Sequence, residues 1–315
     1  MNKIIKNLVQ VIVCCILGLI FYLLFSFAFG SNETKVNQRT DSSSKQAASK
    51  QTKQKKKIRL VALGDSLTQG VGDITNKGGY VHLIQEKLKK NNKLSVATEN
   101  FGKAGDRSDQ ILERLKKSAS MQKQLSNADV IVLTVGGNDL MQTLQKNFTS
   151  LSSADFTKVM ASAEKVYTDK LNKLLQSVRI YNAKAPVFIY SVYNPFYVYF
   201  PRLTQLQKYT NEWNNVTLQV IAKKRNIYMV QINKQLSEGQ YLGKTSQLKT
   251  TTVTDLDKLN GNKLTQIVSN KEEKNNYLSS ADHFHPNLKG YNYMTERLYA
   301  VMMKHKKTWL NEVNN

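Results

Sequence analysis

The sequence predicts an α/β domain: a mainly parallel five-stranded sheet with helices on both faces, set behind an apolar N-terminal segment. Three observations carry this. Short apolar runs alternate with segments of helical period, which is the pattern of strand–crossover–strand units. The apolar runs do not themselves alternate, as expected for strands buried on both sides. Glycine-rich polar clusters stand at the ends of those runs, where open α/β sheets bind their ligands.

The elements follow in order. Leu8–Phe29 is a 22-residue run whose clearly polar members are Gln10 and Ser26. A helix of that length, at ~1.5 Å per residue, crosses a hydrocarbon core ~30 Å thick. Lys3 and Lys6 precede it, so the positive-inside rule leaves the N-terminus in the cytoplasm and the remainder outside. Residues 1–30 are therefore expected to be a membrane anchor. The alternative is a signal segment cleaved after Ala28 or Gly30, although signal cores usually run only about 7–15 residues. Residues 31–57 are rich in Ser, Gln, Asn and Lys and read as an extended, charged linker.

From residue 58 to 310 the chain reads as one domain. Strands are expected at Ile58–Leu63, Leu94–Asn100, Val130–Val135, Pro186–Val192 and Ile227–Ile232. Helices are expected at Tyr80–Lys90, Ile111–Leu125, Phe156–Tyr181, Leu203–Arg225 and Leu288–Lys307. Residues 233–279 are polar and weakly periodic, and read as an insertion or lid-like excursion.

Composition limits the function. The net charge is +23, with 36 Lys/Arg against 21 Asp/Glu from residue 58 onward. Such a field favours anionic lipid or acidic wall polymer as surroundings. No zinc-finger spacing, RNA-binding aromatic motif or heptad-linked basic region points to nucleic acid. The two cysteines, Cys14 and Cys15, both lie in the apolar run, so neither a disulfide framework nor a cysteine metal site is expected.

Ser66 follows the first strand in Gly64-Asp65-Ser66-Leu67-Thr68, on a turn that would expose its hydroxyl at the sheet edge. Taken alone, it reads equally well as a helix N-cap. A nucleophilic serine needs a base. Among His82, His283, His285 and His305, the segment Asp282-His283-Phe284-His285-Pro286 offers the best placed. Residues three apart in a turn share a side, so Asp282 can hold one nitrogen of His285 and leave the other free for a hydroxyl. Asn138, after Gly136-Gly137, offers a side-chain amide for an oxyanion, and Gly105 an unobstructed N–H. Ordinary turn chemistry explains either of these when taken singly.

Taken together, these blocks resemble the GDSL/SGNH hydrolase family over roughly residues 58–307. Leu63–Gly70 is similar to its first block, Asn100–Ser108 to its second, Gly136–Asp139 to its third and Asp282–Asn287 to its last. The resemblance implies a flavodoxin-like three-layer fold. It implies Ser66 as nucleophile, His285 as base and Asp282 as its partner. Gly105, Asn138 and the Ser66 amide would form the oxyanion hole, and neither metal nor organic cofactor would be needed. Expected substrates are lipids, lysophospholipids or acetyl esters of wall glycans. The stretch Tyr193–Pro201 holds five aromatics, of which Tyr193, Phe196 and Tyr197 are candidates for substrate binding. An acyltransferase with the same nucleophile, recognised by acceptor-dependent product, is the alternative activity. A wall- or lipid-binding module is another, though it would have no use for a triad.

Overall fold

Alternate residues of the central strands separate into two cores. Val61, Leu63, Ile131, Leu133, Val187 and Ile189 face one way; Leu60, Ala62, Val130, Val132, Phe188 and Tyr190 face the other. Two buried faces require helices on both sides, and this is what the chain builds. The computed structural model describes residues 54–147, 154–251 and 272–311. The apolar run 8–29 lies outside them, as do most of the 31–57 linker and residues 252–271 of the expected excursion. Among the described residues no helix is long and apolar enough to cross a membrane.

The strands are β1 (Lys57–Gly64), β2 (Ser95–Gly102), β3 (Val130–Thr134), β4 (Val187–Tyr190) and β5 (Ile227–Val230). They pair in the order β2-β1-β3-β4-β5, and every neighbouring pair is parallel. The chain leaves β1 for β2 on one side and returns to β3 on the other. That reversal opens a crevice at the carboxyl ends of β1 and β3, the preferred ligand position in such sheets.

Preceding the third strand are α1 (Ser66–Gln69), α2 (Tyr80–Asn92), α3 (Ser108–Lys117) and α4 (Ala119–Ser126). After it come α5 (Gly137–Lys146), α6 (Ala154–Tyr181) and α7 (Thr204–Ala222). The chain continues through α8 (Asn233–Glu238), α9 (Ser246–Thr251) and α10 (Leu288–Lys304). Helices α3 to α7 cover the Leu63 face, and α2 and α10 cover the Leu60 face.

Three expectations need correction. The helix expected over Ile111–Leu125 is two helices. Ser118 leaves the helical region at φ −104° and ψ 103°, and its Oγ accepts from Met121 N at 3.2 Å to start α4. β2 is not a doubly buried apolar run: Val96 is its one fully buried residue. It is an edge strand, and Glu99 on it discourages pairing with a further chain. The last helix stops at Lys304, because the chain folds back through Lys306–Thr308 and Trp309 Nε1 donates to Met302 O at 2.9 Å.

Arg114 of α3 clamps the carboxyl end of the sheet. It donates to Gly64 O at 2.9 Å and Phe101 O at 3.1 Å, and pairs with the buried Asp106 carboxylate. One side chain thus ties the ends of β1 and β2 to the loop that follows β2.

Candidate active site

Ser66 is the first residue of α1, immediately beyond β1, and is 6% exposed. Asp65 caps that short helix: its Oδ1 accepts from Leu67 N at 3.0 Å and from Thr134 Oγ1 at 2.7 Å. Thr134, the last residue of β3, also meets Thr68 Oγ1 at 2.7 Å, and Thr68 meets the Tyr80 hydroxyl at 2.8 Å. A Cβ on Gly64 would lie 2.2 Å from Thr134 Oγ1, so only glycine lets β3 approach this closely. The serine therefore stands on a turn pinned from both central strands.

The second half of the site comes from the turn before α10. Asp282 Oδ1 accepts from the N–H groups of Phe284, at 2.9 Å, and His285, at 3.0 Å. Its Oδ2 lies 2.6 Å from His285 Nδ1, and His285 Nε2 lies 2.8 Å from Ser66 Oγ. The turn closes because His283 takes a left-handed conformation, φ 58°, which costs a residue with a Cβ about 1–2 kcal/mol. Partial burial works to raise the Asp282 carboxyl, but the bonds from His285 and the two backbone amides outweigh it and hold it below the ordinary aspartate range.

Asp65 behaves in the opposite way. Burial pushes its carboxyl up despite the bonds from Thr134 and Leu67. The folded chain therefore binds this proton more tightly than the unfolded chain. The associated stability is fully present below the unfolded value, about pH 4, and is lost as pH rises through the folded one. Asp65→Asn keeps an acceptor for Leu67 and Thr134 and carries no charge. In urea unfolding its midpoint should equal or exceed that of the parent chain near neutrality and show no gain below about pH 4. A lower midpoint at neutral pH would refute this account of Asp65.

The hydroxyl of Ser66 opens on a cleft between β3, β4, α5 and α7. Its walls are largely apolar, with Leu140, Met141 and Leu144 of α5 facing Phe196 and Leu206. Asn138 also lines it, and its Nδ2 donates one hydrogen to Asp106 O at 2.9 Å. Gly105 is absent from the cleft wall. It is the exposed third residue of the Lys103–Asp106 turn, with φ 81°, a position that calls for glycine. Its loop touches the site through the Asp106–Asn138 bond.

The aromatic stretch divides. Tyr193 and Phe196 line the cleft. The Tyr193 hydroxyl donates to Phe284 O at 2.7 Å, and Phe196 meets the Phe284 ring edge-on with centroids 6.2 Å apart. Tyr197 does not line the cleft. It is half-buried, and its hydroxyl bonds to Thr245. Residues 195–201 are a series of turns, so successive aromatics point in different directions.

Sequence reasoning missed α5 and its contribution to the cleft. The signal was present as Leu140 and Leu144, one helical turn apart, but two glycines precede them, and glycine disfavours helix. Packing overrides that preference. Asp139, in the first turn of α5, accepts from Ser108 N at 2.9 Å and Ser108 Oγ at 2.7 Å, which fixes α5 against α3.

Comparison with known proteins identifies the family. Residues 60–298 match the model of the GDSL-like Lipase/Acylhydrolase family. The chain is 30% identical over 267 residues to YpmR of Bacillus subtilis (strain 168), covering 84% of this chain and 89% of that protein. It is 31% identical over 139 residues to the spore germination lipase LipC of Bacillus licheniformis, covering 44% of this chain and 65% of LipC. Among solved structures, the lipase Lip_vut3 from a goat rumen metagenome superposes with a TM-score of 0.56 at 25% identity, covering 77% of this chain and 96% of that one. A family match that runs from within β1 through β5 and takes in the Ser66 and His285 turns leads to one conclusion: the chain belongs to the GDSL-like lipase/acylhydrolase family and is a carboxylester hydrolase.

Proposed function

We propose that this hydrolase works by a serine mechanism, on esters of a linear acyl group, from a membrane tether outside the cytoplasm. The observation that carries the proposal is the Asp282–His285–Ser66 hydrogen-bond chain at the mouth of an apolar cleft. His285 Nε2 takes the proton of Ser66 as Oγ attacks the ester carbonyl carbon. Asp282 keeps the imidazole in its orientation and stabilises the imidazolium. The Ser66 N–H and the second hydrogen of the Asn138 amide hold the oxyanion, and the family resemblance adds the Gly105 N–H from the loop beside the cleft. His285 then gives the proton to the departing alcohol, and water repeats the sequence on the acyl-enzyme.

The cleft suits the acyl chain. Leu144 lies six residues beyond Asn138, about 9 Å further along the helix. A p-nitrophenyl series from acetyl to palmitoyl should therefore peak above acetyl. Leu144→Phe should lower the decanoyl-to-butyryl activity ratio by about tenfold, the scale set by losing a few buried methylenes. An acetyl optimum untouched by Leu144→Phe would favour acetylated wall glycans over lipids.

The location rests on the 22-residue apolar run and the lysines before it. The excess of cations beyond residue 58 suits an anionic membrane or wall polymer. Protease added outside intact spheroplasts should remove the catalytic domain. Protection until lysis would overturn the orientation.

A further inference from the structure

A second histidine–carboxylate pair lies directly behind the site. His283 is 3% exposed, and its Nδ1 lies 2.7 Å from Glu273 Oε2 and 3.1 Å from the Tyr199 hydroxyl. Tyr199 is 1% exposed and meets the His283 ring edge-on, with centroids 6.1 Å apart. Its hydroxyl also accepts from Lys274 N at 3.0 Å. Glu273 Oε1 accepts from Asn275 N at 2.6 Å, and buried Asn275 reaches Leu236 O at 2.8 Å. The cluster thus joins the loop after β4, the segment before the last turn and α8. None of these groups touches Ser66. What they hold is the one residue in that turn whose backbone is left-handed, between Asp282 and His285.

We propose that Tyr199, His283 and Glu273 form a positioning clamp that sets the Asp282–His285 turn and so controls turnover, beyond any contribution to folding. The proposal rests on the roles given above to Asp282 and His285. A buried anchor is suited to this task because the His285 ring must reach both Asp282 Oδ2 and Ser66 Oγ at hydrogen-bond distance, and a misplacement of about 1 Å can reduce a rate about a hundredfold.

The test uses the full chain, with kcat expressed per site titrated by a p-nitrophenyl alkylphosphonate that labels Ser66. Glu273→Ala and His283→Asn should each lower kcat about 10- to 100-fold and move KM by less than about threefold. Asparagine tolerates the left-handed backbone, so His283→Asn removes the clamp and keeps the turn. The double variant should be no worse than either single, because both break one contact. Glu273→Gln, which keeps an acceptor for His283, should recover most of the rate. Should Glu273→Ala fail to fold, Tyr199→Phe and Glu273→Gln decide, with Tyr199→Phe expected to lose several-fold in kcat by giving up one bond of the clamp. A thermal midpoint that falls while kcat per titrated site stays within about threefold would overturn the proposal and leave a structural cluster only. Ser66→Ala in parallel separates the two readings. If it is inactive while the clamp variants turn over normally, the clamp alone fails; if it stays active, the serine mechanism fails.

Discussion

Ser66→Ala is expected to reduce kcat/KM for p-nitrophenyl esters by about ten-thousandfold or more, with the unfolding midpoint unchanged. The size follows from the geometry. Ser66 Oγ is 2.8 Å from the nitrogen proposed to take its proton, and that imidazole is held by Asp282 at 2.6 Å. Alanine leaves the imidazole without a nucleophile to activate. What survives is ester binding and whatever oxyanion stabilisation a water attack can use. Serine and base act as a unit, so His285→Ala should cost nearly as much, and the double variant little more than either. Stability should hold, since the Asp65 cap on α1 does not use the Ser66 hydroxyl. A Ser66→Ala chain retaining more than about a tenth of the parent rate would end the serine mechanism, because no loss of orientation alone explains so small an effect.

Much of this site was legible in the residues because the two halves of the hydrogen-bond chain are local. Asp282 and His285 are three apart in a turn, and Ser66 follows a strand whose burial is written in its apolar run Leu60–Leu63. β3, β4 and the Leu60–Leu63 part of β1 read correctly for the same reason: residues enclosed on both faces are nearly all apolar. The crevice position followed from the glycine clusters at the ends of β1 and β3.

What sequence reading missed depends on distant contacts. α5 starts on Gly137 and Asn138, poor helix formers, and is held by the Asp139–Ser108 bonds across 31 residues of chain. The direction of Tyr197 depends on turns with no side-chain period. The left-handed His283 carries no glycine to announce it; its conformation is supported by Glu273 and Tyr199, the latter 84 residues away. Local chemistry was readable, whereas the supports that orient it came from tertiary packing.

The oxyanion assignment should show its own signature. Asn138→Ala is expected to lower kcat by about 100- to 1,000-fold with KM nearly constant, the effect of removing one donor worth about 3–4 kcal/mol in the transition state. An amide nitrogen carries two hydrogens. In Asn138 one is used on Asp106 O, and this bond aims the other. Ground-state ester gains little from that second hydrogen, whereas the tetrahedral oxyanion gains a charge-assisted bond, so the loss falls on kcat. Asn138→Asp supplies a control of nearly equal volume. It replaces the donor with an acceptor and, when ionised, opposes the developing charge, so it should be at least as slow as alanine. The loop offers the competing explanation, since alanine also leaves Asp106 O without its partner. That loss would act on stability and on KM together. A kcat within about fivefold of the parent, or a loss appearing mainly in KM, would remove Asn138 from the oxyanion hole and leave it as a brace for the Gly105 loop.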